Sequence, residues 1–190
     1  MTDNKILLFN QLLEEIRKRK ENDRPFVVGI SGIDTSGKTR FAESFQEFLV
    51  SMQIVTQVIN LDDFHNPKNI RYSGSDEAEN YYRNSFDLAT IVEKLLKPMK
   101  QRSGHPVRLA LLDLLTDRHE VEKEFSFDKD TIVIFEGVFL YRPELSPYID
   151  YKIFLDIPEK VQFERRETTY HSPPEYITKV VIPTFRKYGV

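Results

Sequence analysis

The sequence predicts an α/β protein: a parallel sheet of about five strands with helices on both faces and a small hairpin and lid lobe. Three observations predict it. Short apolar runs at 26–30, 54–61, 131–135 and 151–155 alternate with amphipathic stripes at helical spacing, the alternation that a parallel sheet covered on both faces requires. The first run leads into Gly32-Ile33-Asp34-Thr35-Ser36-Gly37-Lys38-Thr39, which satisfies the phosphate-loop pattern G-x-x-x-x-G-K-[ST] at every fixed position. The second and third runs end in acids, Asp62-Asp63 and Glu136, at the strand ends where open α/β sheets bind ligands.

The elements follow in order. Ile6, Phe9, Leu12, Leu13 and Ile16 recur at helical spacing and mark a first helix, closed by Arg17-Lys18-Arg19-Lys20. Glu14 and Glu15 stand four residues before Lys18 and Arg19, so this basic cluster reads as a solvated helix end. Phe41, Phe45, Phe48, Leu49 and Met52 trace the helix after the loop. Residues 65–84 are polar without clear period and read as a loop. Residues 86–99 read as a helix with Pro98 near its end, and 108–115 with 121–127 as a hairpin. Pro158 suits the first position of a helix reaching about Arg166. Pro173-Pro174 open a last helical segment interrupted at Pro183.

The 190 residues, 40% apolar and 30% charged, suit a single domain over 1–190. No stretch approaches the roughly 18 apolar residues of a membrane span, and the N-terminus places acid before base, the reverse of a secretory signal. The lack of cysteine excludes disulfides and thiolate metal sites and suits the cytoplasm. A net charge of -3 argues against nucleic acid as a partner. The expected partner is a small-molecule acceptor, with a homo-oligomer left open.

In such a loop the amides of residues 33–39 wrap a β-phosphate, and Gly32 and Gly37 permit the close approach. Lys38 would reach the β- and γ-phosphates, the Thr39 hydroxyl would hold Mg²⁺, and the following helix would aim its positive end at the anion. Asp34 is unusual in an anion-binding loop. Its side chain either folds back on a backbone N–H and presets the loop, or reaches across the cleft; the loop-ordering role is the expectation. Asp62 is read as the base that accepts the proton of an attacking hydroxyl, a turn cap being the alternative. Glu136, beside Gly137, has the layout of a second carboxylate near Mg²⁺. No Asn-Lys-x-Asp segment is present, against a GTPase. The four histidines lack helical pairing, against a transition-metal site. His65 is placed at the acceptor pocket, and Tyr81 and Tyr82 either stack on a planar acceptor or pack beneath the loop.

Together these pieces resemble the uridine kinase branch of small-molecule P-loop kinases, a group that also contains pantothenate kinase and phosphoribulokinase. The resemblance runs over residues 26–188, through Ser31-Gly32, Ser36-Gly37-Lys38-Thr39, Leu61-Asp62-Asp63-Phe64-His65, Phe135-Glu136-Gly137, Arg165-Arg166 and Ile182-Pro183. It implies phosphoryl transfer from Mg²⁺-bound ATP to a small-molecule hydroxyl. Asp62 would be the general base, Lys38 and Arg166 would stabilise the transferring phosphate, and Thr39, Asp62 and Glu136 would surround Mg²⁺. Arg165 joins residues 32–39 on the nucleotide, while Asp63, His65, Tyr81, Tyr82 and Asp113 fall on the acceptor side, around 62–84 and 105–127.

Three departures narrow the expectation. Tyr81 stands where the family's ribose-holding aspartate belongs. The hairpin keeps Asp113 but has Leu112 and Asp117 where the family's Tyr and His contact a pyrimidine. Sites that read a ligand by hydrogen bonds reject analogues that leave those groups unpaired, so plain uridine is not expected to be an efficient acceptor. The lid, around 165–173, lacks its third arginine and is short, and Val190 precedes a further strand that the resemblance leads one to expect. A nucleoside-like acceptor is the first reading. A pantothenate-like or sugar acceptor, and a catalytically weak nucleotide-binding regulatory module, stay open.

Overall fold

Residues 26–32 form strand β1 (Phe26–Gly32), buried along its whole length. Its side chains alternate between two cores. Phe26, Val28 and Ile30 pack with Phe9, Leu13 and Ile16 of helix α1 (Asp3–Arg19) and with Phe45 and Leu49 of helix α2 (Lys38–Ser51). Val27 packs on the opposite face with Ile59, Phe64, Val133, Phe135 and Phe139. Such two-sided burial is why these strands read as continuous apolar runs rather than alternating ones. The coordinates, a computed structural model, describe residues 2–21, 23–101, 106–169 and 174–189, with the side chains of 166–174 outside that description.

Strand β2 (Thr56–Asn60) follows α2, then an antiparallel hairpin of β3 (Val107–Asp113) and β4 (Arg118–Phe125), then β5 (Ile132–Gly137) and β6 (Tyr151–Leu155). The main sheet is parallel in the order β2-β5-β1-β6, four strands among the described residues against the five or so expected. The register sets Ser31 beside Gly137 and Asn60 beside Glu136. The phosphate-loop segment, the acid of β5 and the Asp62 turn therefore leave the sheet along one edge, at the carboxyl ends of the strands.

The helical segments differ from expectation in two ways, both with local causes. Within 65–84 the chain is helical at Lys68–Arg71 and again from Glu77 through Asn84, whose second half is a widened turn bonded from i to i+5. Asp76 starts it, accepting from the Ala78 and Glu79 N–H groups (2.8 and 3.1 Å). The widened turn has no 3.6-residue period, so periodicity could not show it. Pro183 does not interrupt its helix. It sits at the start of Ile182–Tyr188, directly after a widened stretch, Ile177–Val181. Pro98 likewise follows the widened Ile91–Leu96. Each proline sits in the first turn after a widened stretch, where the ordinary i to i−4 bonding that proline cannot join is already interrupted.

At the base of the sheet, the Asp150 carboxylate accepts from the Val27 N–H (2.9 Å), Arg24 (2.9 Å) and Lys100 (2.6 Å). Burial opposes its charge, but Arg24, Lys100 and the Val27 amide together hold the carboxyl below its ordinary range. The basic end of α1 is paired as a solvated face: Arg17 with Glu14, and Lys18 and Arg19 with Glu15. Among the described residues no helix is long and apolar enough to cross a membrane.

Candidate active site

The loop between β1 and α2 is held in an uncommon conformation. Gly37 has φ 95° and Thr35 has φ 65°. The first suits glycine, whereas the second is a costly state for a β-branched residue and marks a loop fixed by its surroundings. Those surroundings include Arg165, whose Nη1 donates to the Thr35 and Ser36 carbonyls (3.0 and 3.3 Å). A side chain at Gly32 would begin 2.6 Å from the Leu155 carbonyl oxygen and 2.7 Å from Ser36 Oγ, so only glycine fits under the loop. No side chain caps the first amides of α2, which leaves that helix end open to an anion. Lys38 is buried, and its Nζ donates to the Ile33 carbonyl (3.0 Å).

The acids converge on the same cleft. Thr39 Oγ1 donates to Glu136 Oε1 (3.0 Å). Burial raises the Glu136 carboxyl above its ordinary range, with Thr39 and Lys38 opposing and Asp62 and Asp63 reinforcing. The Asn60 side chain accepts from the Asp62 N–H (2.9 Å) and starts the 3₁₀ turn Leu61–Phe64, which carries Asp62 to the cleft. Asp62 borders open solvent in that cleft, yet protein crowds its carboxyl closely. That crowding raises its proton affinity first; Asp34 and Asp63 add to it, and His65 and Lys38 work against it. The cleft encloses about 670 Å³ and is lined by loop residues Asp34 through Thr39 together with Asp62, Glu136 and Arg165.

The residues present fit Mg²⁺ and a nucleotide phosphate. Ser36 Oγ is buried without a hydrogen-bond partner at the centre of the loop. Among the described residues no three of His, Cys, Asp and Glu form a metal cage. A divalent cation would depend on one hydroxyl, carboxylates and phosphate oxygens, the way Mg²⁺ is commonly held; Thr39, Glu136 and Asp62 offer those groups.

A second cavity of about 210 Å³ is lined by His65, Arg71, Tyr72, Glu77, Asn80, Tyr81, Ser85 and Tyr176. It adjoins the first through two contacts. His65 Nδ1–H donates to the Asp62 carbonyl (2.6 Å), and the Tyr81 hydroxyl donates to Asp34 Oδ2 (3.2 Å). The second contact corrects the expectation for Asp34: its side chain reaches across the cleft to the helical segment that follows Asp76.

The other acceptor-side residues separate. Asp63 pairs with Lys123 of β4, tying its turn to the hairpin. Tyr82 stacks on Tyr188 (4.0 Å) beneath Arg142 (4.2 Å) and lines neither cavity. Asp113 accepts from the Leu115 and Thr116 N–H groups (2.7 and 3.2 Å) and closes the hairpin tip, a turn role typical of aspartate. The Arg166 side chain, and the lid residues 170–173, lie outside the described residues. Sequence reasoning missed Lys5, Arg40, Phe41 and Leu155 in the first cavity and Arg71, Tyr72, Glu77, Asn80, Ser85 and Tyr176 in the second. Phe41 lay on a helical stripe read only for packing, and Arg71, Tyr72, Glu77 and Asn80 lay in the stretch read as a loop.

Comparison with known proteins agrees with this geometry. The profile described as Phosphoribulokinase / Uridine kinase family matches residues 27–168. Uridine kinase-like protein 3 of Arabidopsis thaliana is 27% identical over 156 residues, which are 80% of this chain and 32% of that protein. Uridine kinase of Limosilactobacillus reuteri is 26% identical over 149 residues, 77% of this chain and 66% of that protein. Human nicotinamide riboside kinase 1 is 29% identical over 171 residues, covering 87% and 77%. The chain thus spans from about a third to about two thirds of the length of the first two of these relatives. The structure of a possible uridine kinase from Bacillus stearothermophilus superposes with a TM-score of 0.70 at 25% identity, over 93% of this chain and 95% of that one. The matched span contains the phosphate loop, the Asp62 turn and Glu136, and this chain belongs to the phosphoribulokinase/uridine kinase family.

Proposed function

We propose that the protein transfers the γ-phosphoryl group of Mg²⁺-bound ATP to a hydroxyl of a nucleoside-like small molecule. The observation that carries this reading is one juxtaposition. Asp62 and Lys38 line one cleft, and His65 and Tyr81, each bonded to a residue of that cleft, line the adjoining cavity. Donor and acceptor would occupy the two spaces, with Asp62 at their seam.

The loop amides and Lys38 bind and orient the phosphates, and Lys38 gives up only its bond to the Ile33 carbonyl to do so. Thr39 and Glu136 would hold Mg²⁺, which when bound neutralises phosphate charge and leaves the γ-phosphorus open to attack. Asp62 orients the acceptor hydroxyl and takes its proton; crowding has already raised its proton affinity toward that task. Arg165 keeps the loop in place, and Arg166 would meet the transferring group. The relatives named uridine kinase and nicotinamide riboside kinase support a nucleoside-like acceptor. ATP, free Mg²⁺ and a chain without cysteine suit a cytoplasmic setting.

The test is ADP release with ATP and Mg²⁺ across nucleosides, vitamins and sugars, with product mass confirming transfer. An acceptor should stimulate ADP release, and Lys38→Ala should abolish that stimulation and weaken ATP binding in a folded protein. ATP binding without acceptor-dependent ADP release would leave a regulatory nucleotide-binding module instead.

A further inference from the structure

We infer that Asp34 reads the acceptor: its carboxylate, shared with the Tyr81 hydroxyl, takes a hydrogen bond from a non-reacting hydroxyl of a polyhydroxylated acceptor. The inference rests on the kinase reading and adds the residue that selects the substrate class.

An anion-binding loop gains nothing from a carboxylate aimed at its anion, because like charges repel. The amide of Asp34 serves the loop while its side chain points elsewhere. It meets Tyr81, which is held from behind by the edge-on ring of Phe139 (5.2 Å). The turn carrying Tyr81 is pinned by the preceding Asn80, whose side chain both accepts from and donates to the Gly74 backbone (3.1 and 2.8 Å). Asp34 lines the cleft that holds Lys38 and Asp62, whereas Tyr81 lines the adjoining cavity. Their bond crosses the seam where an acceptor must lie if Asp62 is to take its proton. Tyr81 and Tyr176 both line the adjoining cavity; burial first, and the negative charge of Asp34 after it, raise the proton affinity of their hydroxyls, so that charge is felt on the acceptor side. Two carboxylates facing one small site disfavour an anionic group and favour hydroxyl donors, whose bonds to carboxylate are charge-assisted. One hydroxyl goes to Asp62 and reacts; another goes to Asp34 and sets the pose.

The experiment compares ribonucleosides and sugars with their monodeoxy counterparts in the ADP-release assay, using wild type, Asp34→Ser and Tyr81→Phe. Wild type should favour the fully hydroxylated member by about tenfold or more in kcat/KM. Asp34→Ser should raise its KM by a similar factor, leave ATP affinity within about twofold, and erase the preference. Tyr81→Phe keeps the carboxylate and should keep the preference. Product formation with an unmoved KM and preference in Asp34→Ser overturns this inference alone. A marked gain in ATP affinity overturns it too, by aiming the carboxylate at the phosphates. Failure of every acceptor to drive ADP release by wild type overturns the kinase reading and this inference with it.

Discussion

Gly137→Ala should cost both stability and turnover, through a contact that touches no ligand. The added Cβ would begin 2.4 Å from Leu61 Cβ, 3.0 Å from its Cδ2 and 3.2 Å from its Cγ. Carbon atoms rest about 3.5–4.0 Å apart, so Leu61 must retreat by about 1 Å. It cannot turn outward, because it is fully buried against the core behind the sheet. Overpacking of this kind costs about 1–3 kcal/mol, which for a chain of this size lowers Tm by roughly 3–10 °C. Leu61 opens the short turn that carries Asp62, so the displacement passes to the next residue. A misplacement of about 1 Å at a reacting group costs up to about 10²-fold in rate. The assays are a thermal melt, ATP binding by calorimetry, and ADP release with the best acceptor. The expected pattern is a lowered Tm, near-normal ATP affinity and a kcat reduced by about 10- to 10²-fold. Full kcat in a destabilised protein would refute the link from Gly137 through Leu61 to Asp62, and an unchanged Tm would refute the packing argument itself.

Asp62→Asn should keep ATP binding and lower kcat by about 10²–10⁴, whereas Asp63→Asn, which loses the tie to Lys123, should cost less; the reverse order would exchange their roles. Because crowding raises the Asp62 carboxyl, the acid limb of kcat/KM should inflect above the ordinary carboxylate range, with activity rising as Asp62 loses its proton, and an inflection within or below that range would contradict the assignment. Asp150→Ala should destabilise by about 2–4 kcal/mol at neutral pH in a denaturant titration. The folded carboxyl is held low, so its contribution is present above the unfolded pKa and lost as pH falls through the folded one; the gap to wild type should close in acid. Glu136→Gln should raise the Tm of the nucleotide-free protein by about 2–4 °C for roughly 1 kcal/mol while lowering turnover. The sign is the opposite one: the folded carboxyl is raised, so ionising it costs stability as pH climbs, and a lowered Tm would show that the charge is not strained.

The phosphate loop was legible because its chemistry demands a fixed local spacing. Gly32, Gly37, Lys38 and Thr39 stand within one run of eight residues, and the order strand, loop, helix is itself local. The acids Asp62 and Glu136 were legible for a related reason, since apolar runs announce where strands end. The acceptor side was not, because its defining contacts join distant residues. Asp34 meets Tyr81 47 positions away, and Asp63 meets Lys123 60 positions away. Nothing in the sequence near Asp63 says that a lysine on the second hairpin strand will neutralise it. Tyr82, one residue from Tyr81, faces Tyr188 and Arg142 instead, a difference that depends on the widened turn Asn80–Asn84. Pro183 misled for the same reason. Helix-breaking rules assume an ordinary α-helix, and the i to i+5 stretches before Pro98 and Pro183 change the premise.

The carboxylates explain why Lys38 rests where it does. Three acids, Asp34, Asp62 and Glu136, line the cleft with Lys38, yet the bond that Lys38 makes is to a neutral carbonyl. Asp34 is bonded to Tyr81, Asp63 to Lys123 and Glu136 to Thr39. A lysine locked to one of these acids would have to break a charge-assisted bond before it could meet a phosphate. As it stands it exchanges a neutral bond for a charged one, and that exchange favours binding. Burial first, and mutual repulsion among the acids after it, raise the carboxyls of Asp62 and Glu136. A divalent cation entering beside Thr39 would relieve that repulsion at the moment it neutralised the phosphates. The cleft is therefore strained in the one respect that a metal-bound nucleotide would correct, and Glu136→Gln, which removes part of the strain, should be more stable and less able to use it.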